Sequence, residues 1–200
     1  MTSIQSHDTA SKNWSIEVNL VRTPDEYAMA MAIRAAVFLG EEDNITYADE
    51  FNGNDFVATH FLALVDGDPA GVIRVRWFNG FCMLERVGIR KRYRSYKVFS
   101  ALARTSIEHI RQKGYKIIAG RARGETIKLW RRFAGTQTGP EIHMHRGTLI
   151  PVLLDVPYRP EKGHMEVGPF GDPDYEDLLV QEEGSWNFDR PIKHHRLAAE

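Results

Sequence analysis

A chain that contains AGVIRVRWFNGFCMLERVGI, residues 70–89, is committed to an antiparallel sheet. Residues 70–78 alternate strictly, with Ile73, Val75 and Trp77 on one face and Arg74 and Arg76 on the other. Asn79-Gly80 then supplies a two-residue hairpin signal, and FCMLERVGI resumes strand character. A period of two in this second strand puts Met83, Glu85, Val87 and Ile89 on one face. HFLALV (60–65) is a further strand-like run, joined to the hairpin by the turn residues Asp66-Gly67-Asp68-Pro69, so the three runs read as a meander.

The flanking segments alternate between helix and strand. SIEVNLVR (15–22) has half-buried strand alternation, and Thr23-Pro24-Asp25-Glu26 then offers an N-cap, a first-turn proline and a capping-box glutamate. In the helix that follows, Tyr27, Met31, Arg34 and Phe38 recur at helical spacing, which sets an arginine on or beside the apolar stripe. The acid-, Asn- and Gly-rich stretch 41–55 reads as a loop. Residues 98–113 turn helical, with Phe99, Leu102, Ala103, Ile107 and Ile110 inward and Ser100, Arg104, Glu108 and Arg111 outward, and Gly114 stops the helix. KIIAGRA (116–122) is a strand, GETIKLWRRF (124–133) a short helix carrying Ile127, Trp130 and Phe133, and 141–156 holds one or two final strands. The predicted order is β-α-β-β-β-α-β-α-β.

With 200 residues, 42% of them hydrophobic, the chain can fill one core. Residues 1–15 read as a flexible leader, 16–154 as the folded domain and 155–200 as an acidic, proline-rich C-terminal extension that wraps the domain or a partner. The N-terminus lacks the apolar core of a secretory signal and no run of apolar residues is long enough for a membrane span, so the expected location is cytoplasmic with no membrane partner. A lone cysteine, Cys82, excludes an internal disulfide and, set among strand formers, reads as a small buried hydrophobe.

The net charge of -1 hides an uneven distribution. From Arg86 to Arg132 fifteen Lys and Arg stand against two acids, a net of +13, whereas the residues from Asp155 onward carry -6. The basic run begins where the strand at 84–89 feeds a helix, and a helix start reinforced by Arg92, Arg94 and Lys97 suits a diphosphate. A solvated basic face is the plain alternative. Nucleic acid is disfavoured, because no helix-turn-helix, RNP-like or zinc-finger pattern accompanies the charge.

The element order, AIRAAVF, the segment YADEFNGNDFVATHFLALVDGDPAG, the strand LERVGI with the helix after it, and LWRRFAG together resemble the GNAT acyltransferase superfamily over about 16–154. The resemblance implies an α/β (α+β) fold: a mixed, mainly antiparallel sheet with helices on both faces and splayed fourth and fifth strands. It implies acetyl-CoA or a longer acyl-CoA as co-substrate, an amine-bearing acceptor and no metal. Carried over, Val87, Gly88 and Ile89 face the pantetheine and Arg94, Ser95, Tyr96, Lys97, Val98 and Phe99 are the loop that cradles the pyrophosphate, beside which the basic run itself adds Arg92. The family's phosphate loop has small residues where Lys97 and Phe99 stand here, and side chains there obstruct close approach of backbone N–H groups. Trp130 replaces a tyrosine that often reprotonates the leaving thiolate, so the thiolate leaves unaided or through water.

A narrower resemblance links Arg34 and Phe38, the segment Asp49-Glu50-Phe51, and Arg74 after Ala70-Gly71 to acyl-homoserine-lactone synthases and N-acyl amino acid synthases. It implies long acyl chains and acyl carrier protein as an alternative donor, whose acidity suits the basic stretch. A homodimer is compatible with either reading. Glu85 is the candidate base, two residues before Val87; its alternative is pairing with an arginine across the sheet. Arg34, Asp49 and Glu50 are acceptor-side candidates, or else ion pairs and loop solubility. His143 and His145 share a strand face without an evident third metal ligand, since His164, His194 and His195 lie in the extension. Trp77, Phe78 and Phe81 read as packing, with an acyl tunnel as the alternative. A fold that has given up catalysis and serves as a binding module is the competing class.

Overall fold

Thr23 opens the first helix as its neighbours dictate: its Oγ1 accepts the Glu26 N–H at 3.2 Å, and the Glu26 carboxylate accepts the N–H groups of Thr23 and Arg22 at 3.0 and 2.7 Å. Thr23→Ala is expected to cost about 1 kcal/mol, read as a lower midpoint in urea denaturation. The computed structural model describes residues 13–42, 45–144 and 147–156. Helix α1 (Pro24–Arg34) continues into a π-helical turn, Ala35–Glu41. Contrary to the expected loop, the next stretch contains helix α2 (Tyr47–Glu50) and a 3-10 turn (Gly53–Val57). Side chains nucleate both, Thr46 capping the Asp49 N–H and Asn52 the Asn54 N–H, which periodicity over such short spans does not reveal.

The strands are β1 (Ile16–Leu20), β2 (Thr59–Val65), β3 (Asp68–Phe78), β4 (Phe81–Ile89), β5 (Ile117–Arg123), β6 (Thr136–Gln137), β7 (Ile142–Met144) and β8 (Gly147–Asp155). They form one sheet in the order β1-β2-β3-β4-β5-β8-β6, with β7 also paired to β8. β1 to β4 are the antiparallel meander, β4 and β5 run parallel, and β5 pairs antiparallel with β8. This is the mixed, mainly antiparallel architecture with helices on both faces. β6, two residues long, escaped periodicity.

Helix α3 (Tyr96–Gln112) lies on one face, burying Val98, Leu102, Ala103 and Ile110 with Ile73, Val75 and Leu84. α1 lies on the other, where Ala30, Ile33 and Val37 meet Leu62 and Val72. α3 starts at Tyr96, two residues before the expected point, because the Ser95 hydroxyl caps the Val98 N–H; Lys97, Val98 and Phe99 are therefore first-turn residues and not loop. Arg111, expected outward, is buried and held by Glu108 at 2.6 Å. A short helix α4 (Ile127–Arg131) follows β5.

β4 breaks its own alternation. Arg74 lies opposite Glu85 but Val72 opposite Gly88, so β4 carries an extra residue, and Arg86 takes a left-handed φ of 51°. Glu85 and Gly88 consequently share the α1 face with Arg74 and Val72, while Val87 and Ile89 pack with the α3-side core. The single face expected for Met83, Glu85, Val87 and Ile89 is thereby corrected: a bulge shifts the period by one. No sequence period announces a bulge.

Candidate active site

β4 and β5 pair only at Cys82↔Ile118, Met83↔Ala119 and Leu84↔Gly120. A Cβ on Gly120 would lie 3.0 Å from the Leu84 carbonyl oxygen, so the last rung closes because that residue has no side chain. Past it, the β4 edge from Glu85 to Ile89 has no β5 partner, and the strands part. The gap opens a cavity of about 860 Å³. β4 lines it with Glu85, Arg86, Val87 and Ile89; β5 with the backbone-rich run Ala119–Arg123; β8 with Leu149, Val152 and Leu154; and Phe99, Leu129 and Trp130 close it from the helices.

Behind the β4 wall runs a buried chain of charges. Arg34, with no exposed surface, donates to the carboxylates of Glu50 and Asp55 and to the Glu50 carbonyl at 2.6 Å. Asp55 also accepts from Arg74 at 2.6 Å, and Arg74 reaches Glu85 at 2.7 Å. Arg76 pairs with the same Glu85 Oε1. Arg86 lies 2.8 Å from Glu50 and donates to the Asp49 carbonyl at 2.9 Å. The series runs from α1 to Glu85, which lines the cavity and whose Oε2 accepts from Arg76 Nη2 at 3.3 Å. Glu85 thus both pairs across the sheet and faces the cavity. Arg34 and Glu50 are buried behind the wall and do not line the cavity, whereas Asp49 does.

Burial raises the Asp55 carboxyl, but hydrogen bonds and charge from Arg34 and Arg74 outweigh it and hold the group below its ordinary value. Burial lowers Arg74, and the Glu85 and Asp55 carboxylates more than restore it. Arg86 is lowered, chiefly by burial. His60 is buried beside Asp55, with Nε2 3.2 Å from its carbonyl oxygen, and burial drops its pKa from 6.5 to about 4. The unfolded chain therefore binds a proton that the folded one refuses between these two values. Stability is complete above pH 6.5 and declines as pH falls toward 4, by about 3 kcal/mol from this residue. Urea melts at pH 7 and 4.5 check it: in a His60→Gln background this portion of the acid loss should disappear.

At the cavity mouth, Arg94 donates Nε to the Ile89 carbonyl at 3.1 Å and Nη2 to Glu41 and Glu42 at 2.9 and 3.2 Å. Arg90 pairs with Asp68 at 3.1 Å, and Arg92 lies 4.0 Å from the same carboxylate. Ser95, Tyr96 and Phe99 line the cavity; Lys97 is exposed beside it and does not. Val98 is core, and Gly88 faces Phe38, whose ring a Cβ would meet at 3.4 Å. The strands are not zipped shut, and Lys97 does not plug them.

Trp130 packs edge-on to Phe99 with centroids 5.1 Å apart and lines the cavity without an acidic proton to offer. Trp77 is wedged against Tyr115, and Phe78 stacks on Phe81 at the hairpin; none of Trp77, Phe78 and Phe81 lines the cavity, so the tunnel alternative for them is corrected to packing. Cys82 is buried, and burial pushes its thiol upward, away from nucleophilic use. His143 is exposed and 3.2 Å from the Thr148 hydroxyl, while His145, His164, His194 and His195 lie outside the described residues, as does the extension beyond 156. Among the described residues no three His, Cys, Asp or Glu cluster as a metal site, and no helix is long and apolar enough to cross a membrane.

Sequence reasoning missed Asp55, the hub of the buried charges, because it sits in an acid-rich stretch where nothing marks one carboxylate over its neighbours. A usable signal lay in β3: two arginines on one face of an apolar strand demand carboxylates. The β8 wall carried no distinguishing signal.

Residues 26–135 match the model of the Acetyltransferase (GNAT) family. The uncharacterized protein YyaT of Bacillus subtilis is 29% identical over 102 residues, half of this chain and 68% of YyaT. The fold superposes on an acyl-CoA N-acyltransferase from Pseudomonas aeruginosa with a TM-score of 0.62 at 16% identity, covering 70% of this chain and 99% of that one. It also superposes on FeeM, an N-acyl amino acid synthase from uncultured soil microbes, with a TM-score of 0.60 at 12% identity, covering 72% and 92%. The family match spans the stretch from the capping box of α1 to the residues after α4, which builds both parted strands and every wall of the cavity but that of β8, and the chain belongs to the GNAT acetyltransferase family.

Proposed function

We propose that the protein is an N-acyltransferase that moves an acyl group from acyl-CoA, acetyl-CoA or a longer homologue, to an amine by direct attack. The observation that carries this reading is the unpaired β4 edge from Glu85 to Ile89 along the cavity, which offers backbone groups to an extended pantetheine arm as a missing strand would. The neutral amine attacks the thioester carbonyl, the C–N bond forms, the C–S bond breaks and CoA leaves as thiolate. Backbone N–H groups of Val87 or Ile89 stabilise the oxyanion. Glu85 Oε2 takes the amine proton directly or through one water, since Oε1 is already taken by two arginines. The thiolate leaves unaided or is protonated by water, because Trp130 cannot serve. Asp49 and Arg86 border the acceptor side, and no metal is needed in any step.

Long-chain transfer, in the manner of acyl-homoserine-lactone or N-acyl amino acid synthases and with acyl carrier protein as donor, is the second reading. It is favoured by the apolar wall of Phe99, Leu129, Leu149, Val152 and Leu154 and by the union of Arg34, Glu50 and Arg74 in one buried cluster. Thiol release from acetyl-, octanoyl- and palmitoyl-CoA with a panel of amines and amino acids tests both. Preference for the short donor supports the first, preference for long ones the second. Binding of acyl-CoA with no acceptor ever turned over would overturn the enzymatic reading in favour of a binding module.

A further inference from the structure

The cations of the strand-to-helix junction and of the residues just past α4 are not equally available. Arg94 is held by Glu41 and Glu42, and Arg90 and Arg92 lean on Asp68. Arg132, just past α4, meets no carboxylate among the described residues; instead its guanidinium lies 4.4 Å over the ring of Tyr96, the first residue of α3 and part of the cavity lining. This contact spans the parted strands, since Tyr96 hangs from β4 and Arg132 from β5. Its position is braced: Trp130 and Phe133 on the α4 side pack edge-on against Phe99 on the α3 side, at 5.1 and 6.0 Å.

A guanidinium stacked by its face keeps its N–H donors in the plane, free to grip a phosphate with two parallel hydrogen bonds. The geometry points to Arg132, stacked on Tyr96, as a ligand for the donor's phosphates, supplying from α4 the grip that the acid-bound Arg94 and the side-chain-bearing first turn of α3 do not provide. This inference rests on the acyl-CoA reading of the cavity. It assigns donor binding to a residue outside the strand-to-helix junction, and it separates fork geometry from charge: a lysine retains the charge but neither stacks as a plane nor binds in a fork.

Calorimetric titration of acetyl-CoA and acetyl-dephospho-CoA into wild type, Arg132→Gln and Arg132→Lys, with melting temperatures of all three, tests it. Arg132→Gln should weaken acetyl-CoA roughly 10- to 100-fold with an unchanged melting temperature, because the side chain is exposed, and Arg132→Lys should recover only part of the loss. A loss that persists with the dephospho donor assigns Arg132 to the diphosphate, and one that vanishes assigns it to the 3′-phosphate; both support the inference. Acetyl-CoA affinity within about twofold of wild type in Arg132→Gln overturns it, as does a loss fully matched by a fall in melting temperature. A wild type that binds neither donor overturns the acyl-CoA reading itself.

Discussion

Arg34→Met is expected to destabilise the fold by about 3–5 kcal/mol, because it takes from the buried carboxylates of Glu50 and Asp55 the guanidinium they share. The loss is larger than that of the methionine's missing hydrogen bonds alone, since each carboxylate has been stripped of water to pair with this guanidinium. Arg74 still serves Asp55, and Arg86 still touches Glu50, so the cluster does not collapse to bare anions. Removing both acids as well, Glu50→Gln and Asp55→Asn, should deepen the loss, because Arg74 and Arg86 then lose carboxylate partners of their own. Denaturant midpoints of the single and triple variants decide it: a single variant within about 1 kcal/mol of wild type would mean the cluster is not a dry ion network.

Glu85→Gln is expected to lower kcat by about 10²–10⁴-fold while leaving the KM for acyl-CoA near its wild-type value, because in the proposed mechanism backbone and phosphate contacts hold the donor and this carboxylate takes the proton. The amide keeps the shape but cannot accept the amine proton. It also weakens the hold on Arg74 and Arg76, so a modest drop in melting temperature accompanies it. The pH profile separates the two roles. If Glu85 is the base, the residual rate climbs with pH as more amine arrives already deprotonated; if it only fixes its arginines, the variant and wild-type profiles run parallel.

Sequence alternation located the meander, α1 and α3 because each is long enough to repeat its period against one buried face. It also located the strand-to-helix junction and the part of β4 that borders the cavity. It could not locate what a single residue does to a period: the extra residue at Arg86 moves Val87 and Ile89 away from the face of Glu85, and nothing in ERVGI marks that step. Nor could it say which cations are spoken for. Arg94 and Arg132 look alike in a linear charge count, yet one is clamped by two glutamates from the end of α1's π turn and the other rests on an aromatic ring. Asp55 and Asp49, six positions apart in one acid-rich stretch, end as a buried hub and a cavity-wall residue because two capped turns rotate the chain between them.

Three rungs join β4 to β5, and the last closes on a glycine. Mechanically the sheet is two leaves joined by a short spine and by one shared apolar core, in which Ile118, Val152 and Leu154 belong with Val75, Leu84 and Ile110. A slot framed in this way stands open beside its seam, so an extended guest has a path in that unfolds neither leaf.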